Sequence, residues 1–182
     1  MLTARYEILS FIAAALIGGV LLRNVFLAER PPALEIDGFT EAQHLQIAPE
    51  SDLQIPILQN TSGLSPGNFS GENFAWYPSS RLGEVIAFQL LDIDPGEYAL
   101  ELHLAPSGDF GLFSVALNGE TLIAQVDLHS SAFRYQTPFV FSPVSLQRDN
   151  TLSFTVEGHN EATTAPHFQF GFDGIALHRL AP

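Results

Sequence analysis

The sequence predicts a mainly β protein, an antiparallel β-sandwich of the jelly-roll kind preceded by one N-terminal transmembrane α-helix. Three observations lead there. The chain opens with a near-continuous apolar run, Ile8 to Leu22 (ILSFIAAALIGGVLL). Its character changes at Pro31-Pro32. Beyond that point come about 150 residues of period-2 alternation broken by turn residues, with no long helical pattern. At 182 residues, one anchor and one domain is the natural count. The divisions are an anchor over 1–30, a linker over 31–33 and a β domain over 34–182.

The apolar run alone is 15 residues, which as a helix reaches about 22 Å, short of a hydrocarbon core of about 30 Å. Continuing through Val25-Phe26-Leu27-Ala28 gives 21 residues and about 31 Å. Arg23 then lies within the last two turns, where its stem can snorkel to the interface. Arg5 and Tyr6 suit the other interface, and Pro31-Pro32 ends the helix. A cleaved signal peptide is the rival reading. Its cleavage chemistry fits poorly, because Ala28 at −1 would be preceded by Phe26 at −3. The expectation is an uncleaved, single-pass anchor in a bacterial inner membrane with the C-terminal domain in the periplasm. Ser10, Ala14 and Gly18 recur at i, i+4, i+8, and Ala15 and Gly19 lie beside them. In lipid such a stripe lets another helix approach closely, so other membrane subunits are the expected partners, besides the bilayer itself.

Alternation in the domain begins at Leu34-Glu35-Ile36 and returns at Leu53-Gln54-Ile55. Stronger runs follow at Glu84–Leu91, Tyr98–Leu104, Leu112–Leu117, Thr121–Leu128, Phe139–Phe141, Thr151–Val156 and Phe168–Leu180. Asp94-Pro95-Gly96-Glu97, Asn118-Gly119 and Asp149-Asn150 separate them as turns, Asn118-Gly119 being the strongest hairpin signal. Leu53 to Ser80 is rich in Ser, Gly, Asn and Pro and reads as loops joining short strands. Trp76-Tyr77 within it, and Phe133, Tyr135 and Phe139 around another loop, are the candidate ligand or partner surface, since exposed rings stack on sugars or anchor interfaces.

Composition removes several chemistries. There is no Cys, hence no disulfide, thiolate metal site or Cys nucleophile. All seven basic residues are Arg, which excludes Schiff-base lysine chemistry. Beyond residue 32 there are four Arg against 18 acids, a balance of 4 − 18 = −14. Such a surface repels nucleic acid. The six His show no zinc-ligand spacing, and no G-x-S-x-G elbow exists, so no catalytic residue is expected. His103 and His178 alternate with apolar neighbours and read as the polar face of a strand.

One resemblance adds to this reading. It rests first on Asp109-Phe110-Gly111, Val115–Gly119 and Val126-Asp127-Leu128, then on Asn150-Thr151-Leu152, Phe154, Val156–Asn160 and Phe170–Ile175. Together they are similar to the galactose-binding-like, carbohydrate-binding-module-type sandwiches appended to bacterial glycoside hydrolases. The resemblance spans residues 84 to 180 and implies the sandwich fold and glycan as a partner; no cofactor is expected, although this fold type often holds a structural calcium. Asp92, Asp94 and Glu97 are the weak candidates for that ion, although the Pro-Gly turn accounts for their clustering without one. Asp109, Asp127 and Asp173 fall on matched positions and are expected to bond turns or neighbouring backbone. Two functions follow as expectations. The first is a non-catalytic subunit that packs its helix into a larger membrane complex, photosynthetic, respiratory or transport, with the acidic sandwich on the periplasmic face. The second is a membrane-tethered carbohydrate-binding module.

Overall fold

The computed structural model describes residues 34–53, 55–61, 69–71, 73–79, 81–133 and 138–181. All of them lie in one unit, Pro32–Pro182. Among them no helix is long and apolar enough to cross a membrane. The expected anchor and its stripe, Ser10, Ala14, Ala15, Gly18 and Gly19, lie outside the described residues.

The described chain runs β1 (Gly38–Glu41), a 3-10 turn (Ala42–His44), β2 (Gln46–Ile47), β3 (Ile57–Asn60), β4 (Asn73–Tyr77) and β5 (Val85–Leu90). It continues through β6 (Gly96–Leu104), β7 (Leu112–Leu117), β8 (Glu120–Asp127), β9 (Phe139–Leu146), β10 (Asn150–Gly158) and β11 (Phe170–Arg179). One sheet has the order β3-β4-β11-β6-β9, with β1 also paired to β11, and the other β2-β5-β10-β7-β8. All ladders between these strands are antiparallel.

Alternation creates the core. On β6 the buried residues are Tyr98, Leu100, Leu102 and Leu104, and on β10 they include Leu152, Phe154 and Val156. A period of two sends these side chains to one face and their neighbours to the other. The two sheets meet through rings. Phe154 and Phe88 of one sheet pack against Phe170 and Phe172 of the other, with centroids 4.6 Å apart for Phe154–Phe170 and 5.2 Å for Phe88–Phe172. This shared core makes the two sheets a sandwich.

The strong runs became strands close to their expected bounds, β7 on the same residues, except that β9 continues from the expected Phe139–Phe141 to Leu146. Asn118 and Gly119 take φ of 53° and 82°, the left-handed pair that a tight hairpin between β7 and β8 requires. The early segment differs. Strands form at Gly38–Glu41 and Ile57–Asn60, after rather than on the first two alternating stretches. Trp76 and Tyr77 are not in a loop: they close β4, which hydrogen-bonds to β11 with Trp76 opposite Gly171 and Tyr77 opposite Phe170. The partner strand lies some 95 residues downstream, which no local pattern announces.

Candidate functional site

The connections sort by length to the two ends of the sandwich. Residues 91–95, 118–119 and 147–149 make short turns, knitted by the Ile93 amide donating to the Arg148 carbonyl (2.9 Å) and by Asn118 Nδ2 donating to Asn150 Oδ1 (2.9 Å). The longer connections gather at the other end, through their described residues 78–79, 81–84, 105–111, 128–133 and 159–169. The Ser107 amide donates to the Leu128 carbonyl (3.0 Å), the Thr164 amide to the Gly108 carbonyl (2.9 Å) and Gln169 Nε2 to the Ser79 carbonyl (3.5 Å). Long loops pinned to a rigid scaffold are where binding groups are commonly displayed.

These loops are held by side chains as well. Asp127 Oδ2 accepts from Asn160 Nδ2 (2.7 Å), and its Oδ1 accepts from the His129 amide (2.8 Å). Asn160 Oδ1 in turn accepts from the Ala162 amide (2.9 Å). Asp127 therefore bonds backbone, as expected, and also ties the loop after β8 to the loop after β10. Thr164 Oγ1 adds a bond to the Gly108 carbonyl (3.1 Å).

On that framework the structure brings together three rings. His159 and His167 lie nearly parallel, with centroids 4.7 Å apart and planes 24° off. Phe168 stands edge-on to both, at 5.6 Å from His159 and 6.3 Å from His167. His159 is exposed, and His167 and Phe168 are half-buried. His167 sits at φ 76°, a left-handed backbone that is unusual for a residue with a Cβ. Its ring is held by Nδ1, 3.0 Å from the Thr163 carbonyl oxygen, and His159 Nδ1 is 3.0 Å from the Asn160 carbonyl oxygen. The sequence shows no ligand spacing among the six histidines and gives no signal that pairs these two. Eight residues apart in a loop, they share no period that would signal it.

The aromatic residues expected to form a surface mostly serve the core. Tyr77 is fully buried, against Phe88 (5.7 Å) and Phe170 (5.8 Å). Burial holds its phenol far above the usual range, so it stays neutral. Trp76 is half-buried, with its indole nitrogen inaccessible and unpartnered, so the pair does not form an exposed platform. Phe133 packs on Phe74 (4.8 Å) and Phe69 (5.3 Å), securing the loop after β8 to β4. Phe139 opens β9 opposite Leu102 and is half-buried. Tyr135 lies outside the described residues.

The weak calcium candidates do not converge. Asp94 Oδ2 meets Arg179 Nη1 at 3.4 Å, Asp92 Oδ1 meets Arg148 Nη1 at 3.9 Å, and Glu97 is exposed on β6. Among the described residues no group of three or more His, Asp or Glu is placed to hold a metal ion.

Two further acids lie away from the loop end. Asp173 is 2% exposed on β11 and accepts from the Ser70 amide (3.0 Å) and the Ser70 hydroxyl (2.9 Å). Burial raises its carboxyl pKa, while the Ser70 bonds and His103 pull it back down. Glu101 lies between two rings on the face formed by β6 and β11, 3.3 Å from His103 and 3.8 Å from His178. His103 is largely buried beneath Phe39, which meets it edge-on at 4.8 Å. Of the two histidines expected on this face, then, only His178 is well exposed.

No protein-family model matches the sequence, and no curated protein matches it. Solved structures do. A Paenibacillus xanthan lyase superposes with a TM-score of 0.65 at 18% identity, over 82% of this chain and 14% of that one. The chain thus spans about a seventh of the lyase it matches. A family 35 carbohydrate-binding module from an environmental isolate superposes at 0.48 and 13% identity, over 77% of this chain and 91% of that one. The family 35 module of Paenibacillus barcinonensis gives 0.48 and 13%, over 80% and 99%. Structural neighbours therefore include carbohydrate-binding modules and domains of larger enzymes, and the lyase likeness shows the fold to be the sandwich that the resemblance implies.

Proposed function

We propose that the β domain is a non-catalytic glycan-binding module, with its binding surface at the loop end and the apolar amino-terminal segment as its membrane tether. The observation that carries this is the ring group of His159, His167 and Phe168, displayed on loops already fixed by hydrogen bonds. Preorganised rings beside hydrogen-bonding nitrogens suit a sugar, which offers an apolar face and a rim of hydroxyls. The fold likeness to a xanthan lyase supports the same reading.

The test is a glycan array probed with the full chain in a detergent without a sugar headgroup. Retention on a defined glycan, lost in the double variant His159→Ala/His167→Ala, is the expected result. Mass spectrometry of what co-purifies after mild extraction supplies the contrary outcome. A stoichiometric membrane assembly together with no glycan retention would replace this reading with that of a structural subunit.

A further inference from the structure

We infer that the paired imidazoles read hydroxyl donors of a neutral glycan, and that the loop end discriminates against anionic, uronate-rich polymers. This deepens the glycan reading and rests on it.

A backbone carbonyl only accepts hydrogen bonds. His159 Nδ1 faces the Asn160 carbonyl and His167 Nδ1 faces the Thr163 carbonyl, each at 3.0 Å, so in each neutral ring Nδ1 carries the hydrogen. The lone pair is then on Nε2 in both. Neither Nε2 has a hydrogen-bond partner among the described residues. Two rings 4.7 Å apart thus present two fixed acceptors. A group that only accepts, such as a carboxylate, finds no donor in either neutral ring, whereas a sugar hydroxyl can donate to either Nε2.

Charge adds the second half. By sequence, the connections 105–111, 128–138 and 159–169, with the strand ends beside them, carry four acids, Asp109, Asp127, Glu157 and Glu161, against one arginine, Arg134. Asp127 and Glu157 are partnered by neutral groups, Asn160 Nδ2 and the Ser114 hydroxyl (2.6 Å), so their negative charge is not cancelled there. Arg81, on the neighbouring connection, is paired with Asp52 at 3.4 Å. An anionic polymer would meet like charge at this end, and screening at physiological salt leaves contacts within about 8 Å affected.

Affinity electrophoresis of the full chain tests this, in gels containing either a neutral galactomannan or polygalacturonate. Two variants remove the acceptor, together with the Nδ1 bond that holds each ring. His159→Phe and His167→Phe keep a ring and remove Nε2, while His167→Gln restores an acceptor. Thermal melts confirm that each is folded. The expected result is retardation by the neutral polymer alone, weakened about threefold to tenfold by each Phe variant, the loss of one hydrogen bond, and less by Gln. Unchanged binding in both Phe variants would overturn the inference and leave the glycan reading standing. So would preference for polygalacturonate. Retardation by no polymer, with an empty glycan array, would remove the glycan reading itself.

Discussion

Asp173 shows how one side chain can set a pH dependence. It is buried on β11, and burial favours the protonated carboxyl in the folded state. A folded pKa above the unfolded one makes the group's contribution fullest below the unfolded value. That contribution is lost as pH rises through the folded value. Asp173→Asn removes the dependence while keeping one oxygen to accept from Ser70. The stability of the variant relative to the parent should therefore be greater at pH 7 than at pH 4, as read from urea unfolding at both. A relative stability that falls with pH would show that the Ser70 bonds outweigh burial. Gly174 makes the second residue-scale case. A Cβ there would strike the Thr40 carbonyl and lie 2.6 Å from the Phe39 ring. Because the obstacle includes backbone, Gly174→Ala should cost about 1–3 kcal/mol by urea unfolding.

At the scale of elements, the sandwich depends on rings that cross between sheets. Phe154 of β10 touches Phe88, Phe170 and Phe172, at 6.0, 4.6 and 5.2 Å, and is wholly buried. Phe154→Ala should lower the unfolding free energy by about 3–5 kcal/mol, the sum of lost transfer energy and a residual cavity. The loop end should respond differently. Asn160→Ala removes the bond to Asp127 without opening the core. Hydrogen exchange should then quicken in 159–168 and leave β10 protected, because local opening of a surface loop need not involve the core strands.

Across the whole molecule, length, charge and anchor act together. Beyond residue 32 the acids exceed the arginines by 18 to 4, which keeps such a domain soluble and away from anionic headgroups. Under the proposed function, the full chain should pellet with membranes after an alkaline wash, and a chain lacking residues 1–30 should stay in the supernatant. Pelleting of both would assign membrane attachment to the β domain instead.

What the sequence determined by itself was the set of strong strands, their turns and the sandwich class. Those features are local: a period of two, a Pro-Gly or Asn-Gly pair, a run of apolar residues. Leu112–Leu117 shows it well, since its expected bounds are met and its burial alternates residue by residue along the strand. The tertiary structure decided where the weaker segments went. Trp76 and Tyr77 stand in a stretch of turn-forming residues, and pairing with distant β11 alone made them strand and buried Tyr77. It also decided the candidate site. His159 and His167 become a pair through two backbone carbonyls, a left-handed residue and a strut to Asp127. Those contacts depend on how loops from different strands converge in space, and no spacing along the chain encodes that convergence.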